Sequence, residues 1–124
     1  PAVEYEDGYK EWFLNGELHR EDGPAIEYAY GTKKWYKHGQ RHREDGPAVE
    51  HNGGSKEWYI HGKRHREDGP AIEQKNGSKE WYLNGEGLTE EQFNEKTKFK
   101  SIIIDGKVIK LSIESFNELK KQLG

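Results

Sequence analysis

Apolar and polar positions alternate in short bursts along the first two thirds of the chain, each burst only four or five residues long. Pro24-Ala25-Ile26-Glu27-Tyr28 is one burst and Lys34-Trp35-Tyr36-Lys37 another, with Ala29-Tyr30-Gly31 between them. Period-two alternation bounded by turn residues predicts strands. Equivalent turns elsewhere read Asp7-Gly8, Gly53-Gly54 and Asn76-Gly77. Asp-Gly and Asn-Gly are strong hairpin signals because a tight turn needs positive φ at both central residues, so each burst pair is expected to be a hairpin. On the second strand Trp12 and Leu14 share one face while Glu11 and Phe13 share the other, and Tyr36, Tyr59 and Tyr82 stand where Phe13 does. Each face of the resulting sheet would carry an aromatic ladder.

The bursts repeat. His-Arg-Glu-Asp-Gly-Pro-Ala occurs unchanged at His19 to Ala25, His42 to Ala48 and His65 to Ala71, and Trp12, Trp35, Trp58 and Trp81 fall 23 residues apart. A fixed period of this size marks an array whose units stack on their neighbours. A second glycine four residues after each Trp (Gly16, Gly39, Gly62, Gly85), preceded by Asn or His, is read as turning the chain toward the next repeat. The glycine of each heptapeptide permits an unusual backbone angle and its proline cannot donate to a ladder, which places this stretch in a loop or bulge at the sheet margin.

Beyond residue 87 the pattern changes. Leu88-Thr89-Glu90-Glu91-Gln92-Phe93 has the signature of a helix start, with Thr89 as N-cap, Gln92 completing a capping box and Leu88 and Phe93 as a staple. Lys98 to Ile104 and Lys107 to Leu111 flank Asp105-Gly106, another hairpin, and Ile102-Ile103-Ile104 is apolar on both faces, so helices are expected to cover it. Ser112 opens a second helix, with Phe116, Leu119 and Leu123 as its apolar stripe and Lys120 and Lys121 near its C-terminal dipole. The expected organisation is an array at 1–87 and a helix-hairpin-helix cap at 88–124 that shields the last array strand.

Composition sharpens this division. Leu, Ile, Val and Phe total 22 of 124 residues, low enough to raise disorder. The net charge of −3 and the strict phase of the Trp and Tyr residues argue for a folded chain. There is no Cys, hence no disulfide framework or thiolate metal site, and a reducing, cytoplasmic setting fits. Neither a membrane span nor a signal peptide is expected. Pro1 sits in register with Pro24, Pro47 and Pro70, as the start of an array or a cut within a longer one.

The residue types present raise several chemistries. His19, His42 and His65 with Asp22, Asp45 and Asp68 suggest metal ligands, but equivalent residues two strands apart lie about 10 Å from each other while ligands must sit about 2 Å from an ion. A structural His-to-Asp hydrogen bond tying each loop is expected instead, and His38, His51 and His61 look incidental. No catalytic residue, metal or cofactor is expected: Ser55, Ser78, Ser101, Ser112 and Ser115 lie in no nucleophile elbow, and no glycine-rich loop opens a helix. Direct nucleic-acid binding through Arg20, Arg43 and Arg66 is disfavoured because Glu and Asp follow each Arg. An acidic array imitating nucleic acid has the right sign of charge, although its charges are mixed.

The order of an aromatic strand, a Gly turn, a Trp strand, Asn-Gly and then His resembles the MORN repeat, in a bacterial and phage variant carrying the His-Arg-Glu-Asp-Gly-Pro-Ala insertion, over residues 1–87. The resemblance implies a mainly β fold, a single-layer antiparallel meander of tandem hairpins, and a scaffold or partner-binding role. The reading that follows is a non-enzymatic macromolecule-binding protein of phage or bacterial origin, with a protein partner and no membrane, acting as an inhibitor of a host enzyme such as a defence nuclease. Its rival is a structural spacer or self-association rod; the open edge at Ala2 to Tyr5 is a further binding candidate that could add a strand from a partner or a second copy. The partner-binding positions are Arg20, Glu21, Arg43, Glu44, Arg66, Glu67, Tyr36, Tyr59 and Tyr82; Trp12, Trp35, Trp58 and Trp81 with the three His and three Asp residues are structural.

Overall fold

The computed structural model describes residues 2–123, apart from the side chains of residues 100–102, 113 and 123. The register of Pro1 and the side chains of Ser101, Ile102 and Leu123 therefore lie outside the described residues. The chain divides into two compact units, residues 1–88 and 89–124. The fold is mainly β, an antiparallel meander of hairpins followed by a small α/β unit.

The array strands are β1 (Ala2–Glu4), β2 (Lys10–Leu14), β3 (Glu17–Leu18), β4 (Ile26–Glu27), β5 (Lys33–Lys34), β6 (Tyr36–Lys37) and β7 (Gln40–Arg41), then β8 (Val49–Glu50), β9 (Lys56–Glu57), β10 (Tyr59–Ile60), β11 (Lys63–Arg64), β12 (Ile72–Glu73), β13 (Lys79–Leu83) and β14 (Glu86–Leu88). The principal sheet runs β1-β2-β4-β5-β8-β9-β12-β13-β14. Its register sets opposite charges directly across from each other in an unbroken row: Glu4, Lys10, Glu27, Lys33, Glu50, Lys56, Glu73, Lys79. Such cross-strand pairs each contribute about 0.2–1 kcal/mol, and a slip by one residue would destroy all of them together.

Each repeat holds two hairpins rather than the single one expected. In the first, only the glycine takes positive φ (Gly8 88°, Gly31 104°, Gly54 106°, Gly77 92°). Tyr5 N–H donates to Tyr9 O and Gly8 N–H to Tyr5 O, closing a three-residue loop instead of a two-residue turn. The second hairpin is closed by Asn15-Gly16, His38-Gly39, His61-Gly62 and Asn84-Gly85, and here both central residues have positive φ, about 50° and about 80°. These are the primed two-residue turns. His38 and His61 thus hold left-handed turn positions where Asn stands in the outer repeats, so they are not incidental.

Burial follows the repeat. Ala25, Ala48 and Ala71 are fully buried, Ile26, Val49 and Ile72 nearly so, and Ala48, Val49 and Tyr59 form a cluster with Trp35 packed on it. Trp12, Trp35 and Trp58 donate their backbone N–H to Ala25, Ala48 and Ala71. The complete burial of these alanines leaves no room for a larger side chain. Hydroxyls join successive first hairpins: Asn52 N–H donates to Thr32 Oγ1 and Lys75 N–H to Ser55 Oγ.

The second unit comprises α1 (Glu90–Thr97), β15 (Phe99–Ile104), β16 (Lys107–Ser112) and α2 (Ile113–Leu123). Thr89 caps α1 and the reciprocal bond from Thr89 N–H to Gln92 completes the capping box. Ser112 Oγ accepts Ser115 N–H at the start of α2. Asp105 and Gly106 supply the positive φ pair of the hairpin turn. One expectation fails: Ile103 and Ile104 are exposed, because α2 is short and its stripe residues Phe116 and Leu119 are themselves only half-buried.

Candidate functional site

The three identical loops are built around an arginine folded back on its own repeat. The guanidinium of Arg20 lies 3.9 Å from the ring centroid of Trp12, and Arg43 and Arg66 lie 3.9 Å from Trp35 and Trp58. Nε donates to Asp22, Asp45 and Asp68 at 3.1, 2.9 and 2.8 Å, and Nη1 donates to the carbonyls of Pro24, Pro47 and Pro70 at 3.2, 3.1 and 3.1 Å. Nη1 also reaches the strand carboxylates: Glu50 at 2.7 Å, Glu73 at 3.4 Å and Glu27 at 3.9 Å. Stacking, a carbonyl bond and paired carboxylates use the flat guanidinium in a way that lysine could not.

The loop glycine serves this packing. Gly23, Gly46 and Gly69 have no positive φ; a Cβ there would lie 2.9, 3.0 and 2.8 Å from the arginine Cζ. The expected need for an unusual backbone angle is therefore replaced by a need for close approach. Trp on one side and bare Gly on the other leave a slot one guanidinium thick.

The histidines bond differently from expectation as well. Nδ1 of His19, His42 and His65 accepts the backbone N–H of His38, His61 and Asn84, each at 2.9 Å. The ring proton therefore sits on Nε2, which faces Glu21 at 2.7 Å, Glu44 at 3.3 Å and Glu67 at 3.7 Å. The partner is the Glu two residues on, because Asp22, Asp45 and Asp68 are taken by arginine. Each histidine reaches across to the primed turn of the next repeat, reinforcing main-chain bonds such as Gly39 N–H to Leu18 O and Arg20 N–H to Tyr36 O. His19 and His42 are buried.

What faces solvent is the acid. The side chains of Asp22, Asp45 and Asp68 are 87, 86 and 86% exposed, against 24, 22 and 21% for Arg20, Arg43 and Arg66. Glu21, Glu44 and Glu67 are also exposed. The bond from His19 and the charge of Lys37 hold Glu21 below the usual carboxylate range, and the bond from Arg43 does the same for Asp45. Between the first two loops lies a groove of about 520 Å³ with Trp35 among its lining residues, flanked by Glu21, Asp22, Glu44 and Asp45.

A second network gathers round the tyrosines. Tyr59 is buried, while Tyr36 and Tyr82 are half-exposed. Arg41 and Arg64, which stand where the first repeat has Leu18, interleave with them: Arg41 Nε donates to Tyr36 Oη at 3.3 Å and Nη1 to Tyr59 Oη at 3.5 Å, and Arg64 lies over Tyr82. Tyr59 Oη donates to Glu57, which also meets His51 at 2.8 Å. Burial alone pushes Glu57 up, but these hydrogen bonds outweigh it and its carboxyl lies below its usual value. This network was invisible in the sequence, although Arg41 and Arg64 keep the 23-residue phase that would have flagged them.

Among the described residues, no three His, Cys, Asp or Glu side chains converge as a metal site would require, and no helix is long and apolar enough to cross a membrane. Ser55 Oγ and Ser112 Oγ accept backbone N–H groups. No family model, curated protein or solved structure matches this chain.

Proposed function

We propose that the array is a non-enzymatic binding module that offers its loop carboxylates to a basic surface of another protein. The observation that supports this is the split within each loop: the cation folds under, onto Trp and Gly, while Asp and Glu project. Successive loops recur every two strands, about 9.6 Å, close to three phosphate steps of about 3.4 Å along one nucleic-acid strand. A row of carboxylates at that interval suits a surface built to hold a phosphate backbone. The resemblance to MORN repeats of the phage type supports a phage or bacterial setting, in which the target is a host enzyme such as a defence nuclease. Tyr36 and Tyr82, with Arg41 and Arg64, form the second surface by which such a module would hold a partner.

The test is capture of partners from bacterial lysate with the tagged chain, with and without added nuclease, followed by Asp22→Lys, Asp45→Lys and Asp68→Lys together. A single stoichiometric protein that survives nuclease and is lost with the triple variant is the expected result. Recovery of nucleic acid, or of no protein besides the chain itself, would overturn the reading, and the latter would leave the spacer or self-association rod.

A further inference from the structure

The first hairpins of the first two repeats carry a feature that the later repeats lack. Tyr5, Tyr9, Tyr28 and Tyr30 form a continuous row, with ring centroids 5.3 Å apart from Tyr5 to Tyr9 and 5.1 Å apart from Tyr9 to Tyr28 and from Tyr28 to Tyr30. The row breaks the repeat: His51 and Gln74 stand where Tyr5 and Tyr28 do, Ser55 and Ser78 where Tyr9 does, and Gly53 and Asn76 where Tyr30 does. Its two ends are open, Tyr5 being 49% and Tyr30 63% exposed. Large rings left open to water add little to a core, and a cluster of them is the composition of a contact surface.

The chain itself shows what such rings accept. It has five arginines, and each lies over an aromatic ring: Arg20, Arg43 and Arg66 over Trp12, Trp35 and Trp58, Arg41 over Tyr59 and Arg64 over Tyr82. Among the tyrosines a carboxylate completes the set, since Glu57 accepts from Tyr59 Oη and lies 3.7 Å from Arg64. Glu11 is the counterpart of Glu57 two repeats earlier. It accepts from Tyr5 Oη at 3.1 Å, and burial followed by the Glu11 carboxylate pushes the Tyr9 phenol above its ordinary value. Leu18, however, stands where Arg64 does, and among the described residues no cation pairs with Glu11. Lys34 reaches the row only at Tyr28, 5.4 Å from the ring centroid. The surroundings are acidic, with Glu4, Glu6, Asp7 and Glu11 against Lys10 alone in residues 1–11.

We infer that the row of Tyr5, Tyr9, Tyr28 and Tyr30, together with Glu11, is a docking surface for an arginine-bearing segment of a partner protein. A guanidinium laid on the exposed Tyr5 ring has the Glu11 carboxylate beside it, which restores the set that Tyr59, Arg64 and Glu57 form within the chain. Tyr30 offers the other end of the row to a second cation. Arginine suits the surface better than lysine because its flat group stacks on a ring and bonds a carboxylate at once. The neighbouring acids add attraction for any basic segment. None of the loop carboxylates takes part, so this surface and the loop row stand or fall independently.

Heteronuclear NMR of the full chain, titrated with acetyl-Gly-Arg-Gly-Arg-Gly-amide and with its lysine counterpart, tests it. Saturable shifts at the amides of Tyr5, Tyr9, Tyr28 and Tyr30 are expected with the arginine peptide, and binding about threefold or more weaker with the lysine peptide. Glu11→Gln with Tyr30→Ala should weaken the arginine peptide about tenfold. Tyr30 is exposed and a glutamine still accepts from Tyr5 Oη, so the remaining signals of this variant should keep their dispersion. Asp22→Lys, Asp45→Lys and Asp68→Lys together should leave the shifts at the four tyrosines in place, which separates this surface from the loop row. No saturable shift at those tyrosines, equal binding of the two peptides, or full-strength binding by the double variant would overturn the inference.

Discussion

The array holds 9 of the 22 Leu, Ile, Val and Phe residues in positions 1–87 and the cap region holds the other 13 in less than half that length, yet the array is the better buried of the two. Val49 in the array is 1% exposed and Val108 in the cap 67%. The difference lies in who covers whom. In the array Ala25, Ala48 and Ala71 are fully buried, Trp12, Trp35 and Trp58 each lie under a guanidinium, and each of those guanidiniums is bonded to its own loop, so a few side chains in fixed phase exclude water. In the second unit Ile103 and Val108 on the hairpin lie largely exposed. Aliphatic content alone is therefore a poor guide to where a core lies; the periodicity of the partners decides.

Three substitutions and a titration measure that contrast. The largest effect is expected at Tyr59→Ala, which removes a buried ring at the centre of the array together with its hydroxyl links to Arg41 and Glu57; a loss of about 3–5 kcal/mol in urea unfolding should follow. The same chemical change then separates the two regions. Val49→Thr buries a hydroxyl and should cost about 1–3 kcal/mol, whereas Val108→Thr should stay within about 0.5 kcal/mol. Equal costs would show that the cap hairpin is covered within a single chain.

The smallest effect is one of pH. Glu57 has its folded pKa below its ordinary value of 4.5, so its contribution to stability is present above that pH and is lost as pH falls through the folded value. Unfolding measured from pH 6 to pH 3 should show a decline below about 4.5 that Glu57→Gln flattens. An unchanged slope in the variant would remove Glu57 from the array's acid response.

Much of this was legible in advance. The 23-residue phase, the strands, the Thr89–Gln92 capping box and the Asp105-Gly106 turn all rest on spacing, and spacing is what a sequence displays. Side-chain reach is not displayed. That Arg20 would turn back onto Trp12 and demand a bare Gly23 depends on where a long flexible side chain settles. That His19 would spend Nδ1 on the turn of the next repeat, leaving Nε2 for Glu21, depends on which nitrogen meets which donor. The left-handed conformations of His38 and His61 were concealed because the outer repeats use Asn there, and the equivalence of the two residue types emerges only from the turn they share.

The reach of the histidine bonds has a kinetic consequence. His19, His42 and His65 each tie to a residue 19 positions ahead, and the Thr32 and Ser55 hydroxyls to residues 20 ahead. These ties never skip a repeat, so their sequence separation stays the same however many repeats are joined. A chain wired this way can nucleate at any neighbouring pair and grow outward by identical steps, and the entropy of closing each new step does not rise with length. Duplication of a 23-residue segment would thus extend the array without slowing the step that adds each repeat.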